Sequence, residues 1–247
     1  MPNDLKSKLI ILDKLKFATL YLSLALFFAN CNENKTIKTG AGQIDKTSKT
    51  NAPKVEDKNI ENIDCDNCPF QGNAKTLKLK ELNILKNRIN FPSPKDINAL
   101  VTLNALLKKG DDTDRWNTRY GARITGYVYD VKPGGVETSN CKSKEKDLRD
   151  THIELILNPM SNEKNEIIIV EVTPRMRKIM AANGEDWRTS TLRTKYLGRL
   201  VEIEGWMLFD FEHKNMAENT HPNNPKNWRG SAWEIHPITK IKIAEKH

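Results

Sequence analysis

Three acid–histidine pairings stand out in the second half of this chain: Asp150-Thr151-His152, Glu212-His213 and Glu234-Ile235-His236. A neutral imidazole offers one ring nitrogen to a metal ion and a carboxylate offers one or two oxygens. These residue types therefore hold zinc or a harder divalent ion. His152, Glu234 and His236 fall on the polar parity of alternating, strand-like runs, while His213 and His221 fall in a long polar loop. If Asp150, His152, His213 and His236 converge, they build a divalent-metal centre, and with it a metal-dependent hydrolase or nuclease. None of these spacings is a ligand signature, and scattered surface histidines are common. The chain has no His-Glu-x-x-His, no Gly-x-Ser-x-Gly and no Walker loop. No catalytic residue is assigned, no cofactor beyond that divalent metal is implied, and a binding module ranks ahead of an enzyme.

Aromatic side chains offer a second kind of chemistry. All five Trp (116, 187, 206, 228 and 233) lie beyond residue 115. Tyr127 and Tyr129 alternate with Ile124 and Val128, and Trp206 shares a face with Glu202 and Glu204, opposite Val201, Ile203 and Met207. On an exposed sheet face, Tyr127, Tyr129 and Trp206 would form a stacking platform for sugar rings or bases. Trp228-Arg229, in the long loop, adds an aromatic beside a guanidinium, which suits stacking with charge. The competing expectation is that a neighbouring helix covers this face.

Cysteines are sparse, with four in 247 residues, so a disulfide-dense mini-fold is excluded. Asp64-Cys65-Asp66-Asn67-Cys68-Pro69 holds a Cys-x-x-Cys with no following helix to activate a thiol and no second ligand pair for zinc. A local Cys65–Cys68 disulfide is expected, with Cys141 left over; Cys141 paired with one of the two is the alternative.

The elements that must position these residues can be read from periodicity. Ser93-Pro94-Lys95-Asp96 has the form of a helix start, and Ile97, Leu100, Leu103, Leu106 and Leu107 follow on one stripe up to Gly110, predicting an amphipathic helix over 94–109. Alternating runs at 122–131, 151–158, 167–173, 199–210 and 231–244 predict five strands. Between the third and fourth, Thr173-Pro174 opens a short helical stretch and 187–198 adds a second, irregular or helical piece. The expected class is mainly β with flanking helices (α+β), in the order β-β-β-α-β-β, preceded by an amphipathic helix.

That order resembles the OB-fold, a five-stranded Greek-key barrel. Gly126 and Gly205 sit mid-strand, where a small barrel needs bulges or sharp bends. The long connections at 132–150 and 211–230 fall where OB-folds carry their binding loops. The resemblance is architectural and brings no catalytic residues with it.

The N-terminus reads as an address. Lys6, Lys8, Lys14 and Lys16 precede the apolar run 17–29, which is the pattern of a secretory signal and too short for a bilayer span. Phe28-Ala29-Asn30-Cys31 then resembles the lipobox of bacterial lipoproteins, with Phe28 and Asn30 in place of the usual residues. The resemblance implies lipidation at Cys31 and a location in the cell envelope, on the outer membrane or periplasmic face. The expected organisation is a signal peptide (1–30), a polar disordered tether (31–75), a helical N-terminal extension packing on the barrel (76–120) and the OB-like barrel (121–247). A net charge of +8 permits nucleic acid. An extracytoplasmic site ranks an oligosaccharide, a peptide or another envelope protein ahead of it, and a purely structural lipoprotein is a further reading.

Overall fold

A computed structural model describes residues 68–245. The leader, Cys31, Cys65 and residues 31–67 of the expected tether lie outside the described residues; its end, 68–75, is packed against the 132–150 loop, with Cys68 in a disulfide and the Asn73 N–H donating to the Thr138 carbonyl. The first helix among the described residues, α1 (Leu77–Lys86), is capped by Thr76, whose hydroxyl accepts from the Leu79 N–H at 3.3 Å. Among the described residues, no helix is long and apolar enough to cross a membrane.

The helix expected over 94–109 does not form. Asp96 Oδ2 accepts from the Ser93 N–H at 2.8 Å and from its hydroxyl at 2.6 Å, closing a local turn. Asn98 Oδ1 accepts from the Leu100 N–H at 3.0 Å, and Ile97 bridges to Gly121. Short polar side chains that bond nearby backbone offer the chain an alternative to helix, and here they prevail. Only α2 (Leu103–Leu106) winds, behind a Thr102 cap. Leu103 and Leu106 still reach the core, whereas Leu100 is exposed.

The five expected strands are present: β1 (Gly121–Pro133), β2 (Thr151–Ile156), β3 (Ile168–Val172), β4 (Leu200–Phe209) and β5 (Trp233–Ile243). They close into one mixed barrel in the order β1-β2-β3-β5-β4. Closure works because β1 is long enough to pair twice, with β4 through residues 121–127 and with β2 through 127–133. A parallel Val170–Ile235 pairing joins β3 to β5. Between β3 and β4 come α3 (Pro174–Ala182), capped by Thr173 with Pro174 in its first turn, and α4 (Thr189–Tyr196). Met176, Met180, Leu192 and Tyr196 bury their side chains in the same core.

Strand alternation sorts the side chains. Ile153, Leu155, Ile168, Val170, Ile203, Met207 and Ile235 fill the core. Their neighbours His152, Glu154, Glu171, Glu234 and His236 point the other way, because successive strand residues face opposite sides. Both mid-strand glycines have steric reasons. A Cβ at Gly126 would lie 2.5 Å from Leu103 Cδ2, and one at Gly205 would lie 2.4 Å from the Pro237 carbonyl oxygen. The β4–β5 register shifts at Gly205, as a bend there requires.

The disulfide joins Cys68 to Cys141, not to Cys65, with the two Cα atoms 5.8 Å apart. Asn87 explains the proximity: its side-chain amide donates to the Phe70 carbonyl at 2.9 Å and to the Ser139 carbonyl at 3.0 Å. The segment before α1 is thereby laid along the β1–β2 loop.

Candidate functional site

The outward side chains of β2, β3 and β5 form a buried ionic cluster. β2 and β3 place His152 directly opposite Glu171, with His152 Nδ1 3.2 Å from Glu171 Oε1. The parallel β3–β5 pairing then brings His236 beside Glu171, Nδ1 lying 3.6 Å from Oε2. Asp150, on the residue that leads into β2, reaches the same point from the loop side, its Oδ2 3.8 Å from His236 Nε2. Asp150, Glu171 and His236 are 2%, 5% and 0% exposed.

Partners hold one side of this group in place. His236 Nδ1 lies 3.3 Å from Glu234 Oε2, while Glu234 Oε1 lies 2.5 Å from Arg229 Nη1. Arg229 Nη2 reaches Asp210 Oδ2 at 3.2 Å, and that oxygen lies 2.6 Å from His213 Nδ1. On the far side, Lys132 Nζ lies 2.5 Å from Glu154 Oε1, which is 3.7 Å from His152 Nε2. From above, Lys86 of α1 pairs with Glu137 at 2.6 Å and is itself buried.

Burial and charge set the protonation of these groups. Burial pushes the Asp150 carboxyl up to about 7, against the pull of His236. Burial also acts on Glu171, but the neighbouring His236 and His152 hold its carboxyl below the usual range. Desolvation opposes charge on His152 and His236, yet Glu171 and its neighbouring carboxylates raise both imidazoles above their ordinary value.

Several buried atoms find no hydrogen-bond partner: both carboxylate oxygens of Asp150, Glu171 Oε2, His236 Nε2 and His152 Nε2. One ligand-type atom from each of Asp150, Glu171 and His236 lies within 4.8 Å of the others. Of the expected metal set, the structure therefore brings together Asp150 and His236, with His152 attached through Glu171. His213 is separate from them, tied to Asp210 at the other end of the chain of contacts. Glu171 was missed by sequence reasoning because it lies in an apolar run, Ile167–Val172, with no histidine next to it. Its signal was parity: it is the one charged residue in a buried strand.

The expected stacking platform is divided. Tyr127 and Trp228, both half-buried, pack over the buried Ile156, Ile167 and Ile169 beside the cluster, and the Trp228 ring lies 5.6 Å from that of His152. Tyr129 is 40% exposed and shares with Tyr127 a cavity of about 240 Å³ that Arg193 and Leu197 also line. Trp206 is not on this surface: its indole N–H donates to the Asn90 carbonyl at 2.7 Å and the Arg88 guanidinium covers its ring. Arg229 is wholly buried in its two ion pairs and presents no guanidinium to solvent. A second cavity, of about 630 Å³, lies apart, between Leu148, Arg177, Lys178 and Trp187.

No protein-family model matches this chain, and no curated protein matches it either.

Proposed function

We propose that this chain is a lipid-anchored envelope protein whose OB-like barrel is a binding module, with its working face on the outside of β2, β3 and β5. The strand order, with one helical insertion between β3 and β4, supports the OB-like reading. In that architecture the face of strands two and three, with the loops after strand one and before strand five, binds oligosaccharides and oligonucleotides. The observation that carries the proposal is where the ionisable residues sit. Asp150, His152, Glu171, Asp210, Glu234 and His236 all lie on that one face or at the ends of those two loops. A barrel that only had to fold would lose stability by desolvating so many charges there. The Tyr127–Trp228 patch beside them supplies apolar contact area, and the half-exposed Lys132 and His213 supply a polar rim. That mix suits an oligosaccharide or a peptide.

Amide-shift mapping on the full chain tests the face. Titrating a chitin-type oligosaccharide, a mixed peptide pool and a single-stranded oligonucleotide should perturb amides of 134–150 and 210–232 with one of the first two. Perturbation confined to other regions, or none with any of the three, refutes the reading. Strong oligonucleotide binding that weakens steeply with salt would replace it with a nucleic-acid module. Anchoring is tested separately: incorporation of a labelled fatty acid should be lost in Cys31→Ser, and unlabelled wild-type protein would remove the tether.

A further inference from the structure

We infer that Asp150, Glu171 and His236 together hold one divalent transition-metal ion of zinc type in an enclosed site that ties the β1–β2 loop, β3 and β5 together. The inference rests on the proposed working face and names a ligand class for its centre. It starts from the orphaned atoms. A buried polar group without a partner is costly, and native proteins leave few of them. Here both oxygens of Asp150, one of Glu171 and one nitrogen of His236 are orphaned on three residues whose ligand-type atoms lie within 4.8 Å of one another. A protonated His236 alone does not relieve them, because Asp150 Oδ2 stands 3.8 Å from Nε2, beyond hydrogen-bond reach.

A second observation is independent of the first. His236 turns Nδ1 toward Glu234, whose other oxygen is locked by Arg229. A proton held on Nδ1 leaves the Nε2 lone pair free, and a carboxylate behind a ligating imidazole is the usual outer support of a metal site. Glu171 turns Oε1 toward His152, and its Oε2, 3.6 Å from His236 Nδ1, accepts no hydrogen bond. His236 and Glu171 thus each have one atom held by protein and one without a hydrogen bond, while Asp150 presents two such oxygens. Two carboxylates and an imidazole suit zinc or manganese better than calcium or magnesium, which favour all-oxygen shells. Ligands roughly 2.0–2.2 Å from a tetrahedral ion stand about 3.3–3.6 Å apart. Asp150 Oδ2 and His236 Nε2, 3.8 Å apart, are already close to that, and all three residues offer ligand atoms within 4.8 Å of one another. Three protein ligands leave a fourth position for water, and the burial of all three residues keeps that position away from bulk solvent.

The test uses the full chain after chelator treatment, with zinc and then manganese as the probes. Calorimetric titration should show one ion per chain, and the melting temperature should rise with the ion present. X-ray absorption of the zinc-loaded protein should report nitrogen and oxygen ligands without sulfur. The pair Asp150→Asn and Glu171→Gln, close to isosteric, should keep the β-sheet circular dichroism and weaken zinc roughly a hundredfold or more, while a change at the exposed His221, His221→Asn, should leave the affinity unchanged. If the double variant does not fold, Glu171→Gln alone is read the same way. Wild type that takes up neither ion, or binding that survives both carboxylate changes, overturns the site. Amide-shift mapping is scored apart: ligand contacts on the two loops without any metal would sink the ion and spare the working face.

Discussion

Arg229 Nη1 lies 2.5 Å from Glu234 Oε1 in a place where neither side chain meets solvent. The same guanidinium reaches Asp210 at 3.2 Å, so one cation neutralises two buried carboxylates at the base of the 211–230 loop. Lys86 and Glu137 close the cluster from α1 and the β1–β2 loop. The loop before β5 is therefore anchored by charge at its end and by the Trp228 contact to His152 near it.

This makes Arg229 a structural residue, and the consequence is measurable. Arg229→Met takes the guanidinium from two buried carboxylates and leaves Asp210 only His213 and Glu234 only His236 as side-chain partner, and breaking such a buried pair costs about 3–5 kcal/mol. Urea denaturation of the full chain should show a loss of that order. Arg229→Lys should recover only part of it, because a point charge cannot fork to two carboxylates. A loss below about 1 kcal/mol, the range of exposed ion pairs, would mean that the guanidinium is solvated after all.

Gly205 supplies a steric test of barrel closure. A Cβ there would press on the Pro237 carbonyl oxygen and on Ile238 Cα, both of them backbone atoms that cannot swing aside. Overpacking of this kind costs about 1–3 kcal/mol or more, so Gly205→Ala should lower the melting temperature by many degrees. Gly135→Ala is the control, since the nearest atom to its added Cβ is a side-chain carbon at 3.9 Å. Equal effects at the two positions would show that the bend at Gly205 does not depend on the missing side chain.

Period and punctuation made much of the barrel legible. All five strands lie where alternation put them, and Thr173-Pro174 opens a helix as read. The order in which the strands close was not readable from alternation, because pairing β3 with β5 in parallel depends on the inserted helices. Two local readings failed for identifiable reasons. The 94–109 stripe had a helical period, but Asp96 and Asn98 bond nearby backbone and hold turns. α1 escaped notice because its exposed face is rich in lysine and its packing face uses Asn83 and Lys86, polar residues satisfied only by tertiary partners. In the site, Asp150, His152 and His236 were visible as acid–histidine pairs. Glu234 was visible with its histidine, whereas Glu171 acquires its role through cross-strand register, opposite His152 and beside His236, its one local signal being a lone charge in an apolar run.

The Cys68–Cys141 bond spans 73 residues of sequence and carries the next prediction. Closing a loop of that size should stabilise the fold by roughly 4 kcal/mol on the chain-entropy account. Cys141→Ser should therefore lower the denaturation midpoint substantially, and reductant should do the same to wild type but nothing further to the variant. Peptide mapping under non-reducing conditions checks the pairing directly. A Cys65–Cys68 peptide in its place would overturn the assignment and release the 68–76 segment from the β1–β2 loop.

The pair formed by His213 and Asp210 should give stability a pH dependence of its own. The hydrogen bond to Asp210 raises the His213 imidazole above its ordinary value, against the effect of partial burial. Burial pushes the Asp210 carboxyl up, but the His213 bond and the charges of Lys86 and Arg229 outweigh it and hold the group well below the usual range. The signs follow from linkage. A raised imidazole contributes stability that is complete below its unfolded value of about 6.5 and disappears as pH rises through its folded value. A depressed carboxyl contributes stability that is present above about 3.9 and is lost as pH falls toward its folded value. The pair is thus fully formed near pH 5 to 6. His213→Asn should lower the melting temperature more at pH 5.5 than at pH 8.5, and imidazole proton shifts in wild type should place the His213 midpoint above 6.5. A variant whose deficit is the same at both pH values, or larger at pH 8.5, would show that His213 is neutral in the folded protein and that Asp210 is held by Arg229 alone.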